Sequence, residues 1–272
     1  RLPLVDDWPA RMAQGDVVDG AGCALPPGSP YVALRRVYYW RQLATEPALP
    51  FEAEIVFQDE HLLVADKPHF LPVTPGGRYV QQTLLTRLRR ATGLAELSPL
   101  HRLDRETAGL VLFSVRASER GAYQALFRDH AIAKTYEAIA PDAEGYDQPR
   151  LLRHRLIEPA GEAFMQMQVV PGEPNAETLV QRLESLSSGW ARYELRPRTG
   201  RKHQLGAQMN AQGLPLAGDR VYPVLQPHEA EPGFNAPLGL LARELEFCDP
   251  LTGKLRHWRS SRTLAPPPDS MP

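Results

Sequence analysis

The sequence predicts an α+β fold: a mixed, mostly antiparallel sheet with flanking helices and a central basic cleft. Three observations carry this. Runs with strand character outnumber helical patterns, and they do not alternate with them as a parallel α/β fold requires. The chain has 272 residues, 43% hydrophobic and 23% charged, enough for a large core in one domain or two. The cations concentrate in two stretches although the net charge is only −1. Arginines 78, 87, 89, 90, 102 and 105 are opposed only by Glu96 and Asp104, and cations 192, 196, 198, 201 and 202 only by Glu194. If folding brings the two stretches together, they make a positive cleft on a neutral body.

The elements follow in order. Residues 1–50 are rich in Pro, Gly and Ala and form a separate small N-terminal segment. Within it Met12–Gly20 and Val37-Tyr38-Tyr39-Trp40 have strand character. Ala48-Leu49-Pro50 reads as a linker to a main domain over 51–272. Glu54–Gln58 and His61–Ala65 are strands around a turn at Asp59-Glu60. Gln81–Thr92 is a helix with Leu84, Leu85 and Leu88 on its apolar face and Gly93 as its stop. Gly109–Val115 is a buried strand. Ser118 is placed to cap a helix running to Asp129 that buries Tyr123, Leu126 and Phe127. Ile132–Ala140, Leu151–Glu158, Phe164–Val170, Glu177–Ser185 and Trp190–Arg196 continue the strands. Thr199 or Gly200 then precedes a helix that ends near Gln212-Gly213, and the tail from Pro266 is proline-rich and loose.

Composition excludes several classes. No apolar stretch is long enough to span a bilayer, and no signal peptide is visible. The chain opens on Arg1 rather than Met, as expected of a trimmed N-terminus. Cys23 and Cys248 make neither a disulfide framework nor a metal quartet, which fits the reducing cytoplasm. There is no dinucleotide fingerprint, no phosphate-cradling glycine loop and no metal-ligand spacing. No heptad or long amphipathic segment suggests a partner chain, so a monomer is expected.

The most informative segment is His101-Arg102-Leu103-Asp104-Arg105-Glu106-Thr107-Ala108-Gly109-Leu110. It sets Asp104 between two arginines, whose charge favours an ionised carboxylate. Such a group serves as a nucleophile or base rather than a general acid. The arginines also suit a polyanionic substrate, since guanidinium pairs with phosphate through two hydrogen bonds. Read alone, an Arg-Asp-Arg run is equally a solvated surface. Gly109, at the entrance to a strand, marks a close backbone approach. Asp104 and Glu106 share a face of an extended chain, as the paired carboxylates of a glycoside hydrolase would. The flanking arginines argue against that, because such a pair needs one protonated acid.

His101-Arg102-Leu103-Asp104 is also the signature tetrapeptide of the RluA-type RNA pseudouridine synthases, and other segments agree in order. Asp66-Lys67-Pro68 resembles the family's DKP strand end. Lys134-Thr135-Tyr136 resembles its K-x-Y strand, and Thr199-Gly200-Arg201-Lys202-His203-Gln204-Leu205 its TGRxHQ(L/I) segment. Gly218-Asp219 with Tyr222 is similar to its GDxxYG loop. Leu241-Ala242, Leu245, Phe247 and Pro250-Leu251-Thr252-Gly253 are similar to its ending. The resemblance covers roughly residues 51–260.

This resemblance implies the pseudouridine synthase fold and isomerisation of uridine in ribosomal or transfer RNA, with no cofactor and no metal. It implies that Asp104 is the catalytic carboxylate. Tyr136 would lie against the uracil and take part in removing the proton from carbon 5. Arg201 would pair with Asp104, and Arg102 would displace the target nucleotide from its stack. Arg105, Lys67, Lys134, Lys202 and His203 are expected to contact RNA, although Lys67 equally suits a strand-end cap. It also leaves residues 1–50 as either a shortened RNA-binding domain or an arm packed on the main domain.

Read alone, Tyr136 is equally a core aromatic. Arg201 and Lys202 at a helix start are unfavourable there, which suggests a nearby anion. His101 and His203 lack a third ligand at metal spacing. Asp219 is expected to order a loop. The chain departs from the family pattern at Gly206, where Arg is usual, and at Gln208 and Leu241, where His is usual. Those departures motivate an alternative: a catalytically silent RNA-binding protein on the same fold.

Overall fold

The structure, a computed structural model, describes residues 8–39, 46–77, 79–159, 166–226 and 233–267. Arg78, Trp40, the start of the expected 164–170 strand and most of the proline-rich tail lie outside the described residues. The chain divides into two units, Arg1–Glu46 and Pro47–Pro272.

The small unit holds a short helix, α1 (Trp8–Ala13), and a two-stranded antiparallel ribbon, β1 (Val17–Asp19) and β2 (Val37–Tyr39). Residues 12 and 13, expected in a strand, instead close α1. Trp8 meets Tyr39 edge-on at 5.2 Å. Asp19 ties the loop between the strands, accepting from the amides of Ala21 and Cys23 and pairing with Arg35 at 2.7 Å.

In the large unit, eleven strands among the described residues form one sheet. They are β3 (Glu54–Gln58), β4 (Leu62–Lys67), β5 (Ser98–Pro99), β6 (Ala108–Ser114), β7 (Ala133–Pro141), β8 (Arg150–Ile157), β9 (Gln168–Val170), β10 (Ala176–Ser185), β11 (Trp190–Pro197), β12 (Leu240–Cys248) and β13 (Leu255–Arg259). The main path runs β3-β4-β6-β12-β7-β11-β10-β8-β9, with β13 beside β12 and β5 beside β6. The one parallel pairing among the described strands joins β6 and β12; the rest are antiparallel. The mixed, mostly antiparallel α+β fold is therefore what the sequence predicted.

Gly109 explains itself at that parallel junction. Its φ is +111°, a region that side chains disfavour, and a Cβ there would collide with the Ala242 backbone. Two strands of the same sheet approach closely only because this residue is glycine.

Strand β12 escaped the sequence reading as an element, though its residues were singled out as a motif. Its period-2 signal is blunted because its first four residues, Leu240 to Arg243, are all buried. Buried Arg243 grips Glu137 of β7 with bonds of 2.6 and 2.7 Å.

Among the described residues, three α-helices flank the sheet. Helix α2 (Leu84–Thr92) starts three residues later than expected because Thr83 caps it, and ends at Gly93 in the left-handed conformation. Helix α3 (Arg120–Arg128) is not capped by Ser118. Glu119 sits at its N-terminus, and the Glu119 carboxylate turns to His61 at 3.0 Å instead. Helix α4 (Gln204–Ala211) begins after the cations Arg201 and Lys202, so neither sits on the unfavourable helix N-terminus. Strand β9 is shorter than the 164–170 expectation. No helix among the described residues is long and apolar enough to cross a membrane.

Candidate active site

The two basic stretches meet only through their motif ends: Arg102 and Arg105 of the first and Arg201 and Lys202 of the second line one cleft, whereas Arg87, Arg89 and Arg90 bond to Leu49, Leu97 and Gln81, and Arg192, Arg196 and Arg198 pair with Glu184, Glu194 and Glu177. A cleft of about 1320 Å³ opens across the sheet, with residues 101–107 on one wall and 199–206 on the other. Among the described residues, seven lysine and arginine side chains line it against three carboxylates, Asp104, Glu106 and Asp219. Leu216, Leu238, Leu240 and Tyr136 make the apolar floor.

The first wall is held from inside. His101 accepts a hydrogen bond at Nε2 from the Leu112 amide at 3.1 Å and stacks on Phe127 at 4.9 Å. Burial pulls its pKa down to about 3, so it stays a neutral acceptor at neutral pH. Leu103 packs into the core and Thr107 is buried, while the Thr107 amide closes a turn on the Asp104 carbonyl at 3.1 Å. The alternation directs Arg102 and Asp104 outward. Asp104 is half-exposed, its side chain at 49%, and faces the cleft.

Lys67 corrects its expected place among the RNA contacts. It is fully buried, and its ammonium donates to the carbonyls of Pro68, Leu71 and Arg105 at 3.0, 2.8 and 3.0 Å. It cannot reach a phosphate; it fastens the peptide next to Asp104. Burial pulls its pKa down to about 7, partly offset by the charges of Glu106 and Asp104. The nearby His69 Nδ1 donates to the Glu106 carbonyl at 2.6 Å and completes the fastening.

Tyr136 lies on β7 between the two main core clusters, paired in register with Leu195 and Ala242. Burial, and then the charge of Asp104, push its hydroxyl well above the ordinary range. It remains a phenol at neutral pH, so it offers a flat apolar face and an O–H donor rather than a tyrosinate base.

Arg201 is a second correction. It is exposed and directs Nε to the Asn175 carbonyl at 3.4 Å rather than to Asp104. The turn 199–203 is locked by Gln204, which accepts from the Thr199 hydroxyl and the Arg201 amide at 2.8 and 3.0 Å. The group that faces Asp104 is His203, with Nε2 at 3.8 Å from Oδ1. Arg105 likewise pairs with Glu106 at 2.7 Å instead of flanking Asp104 electrostatically. Lys134 reaches the Thr199 carbonyl at 3.2 Å and so bridges the floor to the second wall. Lys202 sits at the rim and pairs with Glu158 at 2.5 Å. Arg102, Arg105, Lys134, Arg201, Lys202 and His203 all line the cleft.

The departures from the family pattern are packing features. Buried Gln208 accepts from the Thr178 hydroxyl at 2.6 Å and donates toward the carbonyls of Leu152 and Ala176, tying α4 to β8 and β10. A Cβ at Gly206 would press on Asp219 and Tyr222, so glycine lets α4 approach that loop. Leu241 is fully buried beside Ala108. Asp219 does order its loop, accepting from the amides of Val221 and Tyr222 at 2.7 and 3.1 Å. Burial raises its pKa. Sequence reasoning missed Arg128, which stands outside the recognised motifs, and Arg220, which occupies a variable position of the 218–222 loop; both line the cleft. Among the described residues no group of His, Cys, Asp and Glu is arranged to hold a metal.

Residues 61–211 match the sequence profile of the family described as RNA pseudouridylate synthase. The chain is 32% identical over 225 residues to an uncharacterised RNA pseudouridine synthase of Synechocystis, covering 79% of this chain and 73% of that one. It is 30% identical over 209 residues to the dual-specificity RNA pseudouridine synthase RluA of Haemophilus influenzae, covering 76% and 92%. Among solved structures it resembles human RNA pseudouridylate synthase domain containing 4, with TM-score 0.59 and 26% identity over 76% of this chain and 87% of that one. It shares the fold of human RNA pseudouridylate synthase domain containing 1, with TM-score 0.64 and 21% identity over 80% and 86%.

Proposed function

The chain belongs to the RNA pseudouridylate synthase family and isomerises uridine in RNA to pseudouridine, and we propose that it does so with Asp104 as the catalytic carboxylate, without a cofactor, on structured ribosomal or transfer RNA. We place it in the cytoplasm as a monomer. The observation that carries the role of Asp104 is its setting: a half-exposed carboxylate on a wall fastened from inside, facing an apolar floor in a cleft rich in cations.

The reaction breaks the bond between N1 and the ribose C1′, turns the uracil, and joins C5 to C1′. The proton leaves C5 and N1 gains one, so atoms and electrons balance with no oxidant or reductant. A flat face must hold the turning base, and Tyr136 on the floor suits it. The base must leave its stack to be reached, and Arg102, exposed beside Asp104, suits the space it vacates. Arg105, Lys134, Arg201 and Lys202 suit the phosphate backbone, which attracts cations irrespective of sequence. Arg201 is thereby assigned to the backbone rather than to Asp104. Lys67 keeps a positioning role.

The test uses RNA labelled with tritium at uridine C5, which releases label to water with each turnover. Unmodified ribosomal and transfer RNA should lose tritium, and polyuridine should not. Equal release from polyuridine would contradict the preference for structured RNA. No release from any of them, with binding retained, would contradict the reaction itself.

A further inference from the structure

The expected partner of Asp104 was Arg201, yet the residue facing it is His203. We infer that His203 is a positioning residue for the reaction, orienting the Asp104 carboxylate by donating from Nε2 once uridine fills the cleft. This rests on the reading of Asp104 as the catalytic carboxylate.

The backbone of His203 is unusual. Its φ of +48° places a residue with a β-carbon in the left-handed region, which is seldom adopted without a reason. The residue stands at the N-terminal cap of α4, but its side chain makes no capping bond. The conformation therefore serves something other than the helix end. It turns the ring inward, edge-on to Tyr222 at 6.5 Å, with 15% of the side chain exposed.

The two ring nitrogens then have different fates. Nδ1 is buried and has no hydrogen-bond partner among the described residues. Nε2 looks across to Asp104 Oδ1 at 3.8 Å. A proton on Nδ1 would bury an unpaired donor and aim a lone pair at a carboxylate. A proton on Nε2 aims a donor at it, and the hydrogen bond a ring nitrogen makes decides the tautomer.

The remaining gap is longer than a hydrogen bond. Asp104 is half-exposed and can rotate to close it, as catalytic contacts do when substrate arrives. With one oxygen fixed by Nε2–H, the other is left for the reaction. The surroundings allow this. Gly206 puts no side chain beside the ring. Asp219, on the far loop, spends Oδ1 on two backbone amides. Arg201 is turned to the Asn175 carbonyl.

Two substitutions separate orientation from a plain RNA contact. In His203→Asn the left-handed backbone is well tolerated, but the amide ends near the place of Nδ1, short of Asp104. In His203→Gln the amide reaches the place of Nε2. We would measure kcat and KM by tritium release, RNA affinity by filter binding, and thermal unfolding for wild type, Asp104→Asn and both variants. His203→Gly, which the backbone accepts best, is a second short variant should Asn unfold. His203→Asn should lower kcat by ~10–100-fold, the scale of a small misplacement at a reacting centre, with KM and affinity within ~2-fold. His203→Gln should recover most of that loss.

An unchanged kcat in His203→Asn would overturn the inference. So would weaker RNA binding at unchanged kcat, because that is an RNA contact, and so would equal losses in both variants. Wild type inactive on every RNA would fail the parent reading and this inference with it. A wild type that turns over while Asp104→Asn does too would fail only the role of Asp104 and what depends on it.

Discussion

The two walls of the cleft come from comparable stretches of sequence, each basic and each carrying a motif, yet they are built differently. Residues 101–107 alternate inward and outward, and every inward group is used: His101 on the Leu112 amide, Leu103 in the core, Thr107 buried, with Lys67 gripping the Arg105 carbonyl from below. Residues 199–203 form a turn locked by Gln204, with Arg201 and Lys202 left exposed and His203 folded in against Tyr222. One wall fixes the backbone that carries a reactive carboxylate. The other offers exposed cations to a partner and turns a single ring toward that carboxylate. The lesson is that a basic residue in a motif says little about its task until its direction is known. Lys67 is an internal clamp and Lys134 a cleft wall, although both come from motifs.

The comparison can be broken first at its foundation. Gly109→Ala forces a Cβ onto the Ala242 backbone at a φ of +111°. It should cost about 3 kcal/mol or more in urea unfolding, or prevent folding. Unchanged stability would remove the tight β6–β12 junction from which the first wall springs.

Lys67→Met leaves three carbonyls without a donor and should cost about 2–4 kcal/mol. Its pH signature is specific. The folded pKa is about 7 against a model-compound value of 10.5, so above pH 7 the folded chain sheds a proton that the unfolded chain keeps. Wild-type stability gains a contribution as pH rises between those values, by up to ~1.4 kcal/mol per unit, and the Met variant lacks it.

His101 acts in the acid range. Its folded pKa is about 3 against 6.5, so the unfolded chain binds a proton that the folded chain refuses. Stability should fall as pH drops from 6.5 toward 3, by about 2 kcal/mol by pH 5, and His101→Asn should flatten that limb of the curve. A flat wild-type curve would mean the ring is not held as a buried acceptor.

The outer cations should show the smallest effects. Arg102→Ala and Arg201→Ala should leave stability unchanged, raise KM by ~3–10-fold, and reduce the salt dependence of RNA binding by about one unit of slope. A stability loss in either would place that residue inside the wall.

Much of this was legible in the sequence because local physics and tertiary packing agree there. The α2 apolar face, its Gly93 stop and the strand after Gly109 all follow from spacing. What was not legible depends on direction and long-range pairing. Strand β12 hides its period because its first half is buried on both faces. Helix α4 starts late because Gln204, a residue that sequence alone reads as the first helical turn, closes the preceding turn with its side chain. Asp104 was recognisable, but its neighbour was not. A flanking arginine sets its electrostatics only if it points at the carboxylate, and Arg105 turns to Glu106; the expected partner Arg201 turns to Asn175. The same holds for Gly206 and Gln208, whose departures from the family pattern bear on RNA affinity and substrate choice in the sequence and take a packing task in the structure of α4.

The most direct test of the account is nucleoside analysis of unmodified ribosomal and transfer RNA after incubation with wild type and with Asp104→Asn. The account predicts new pseudouridine with wild type and none with the variant, while both bind RNA equally and unfold at the same temperature. Pseudouridine formed by Asp104→Asn at the wild-type rate would contradict it.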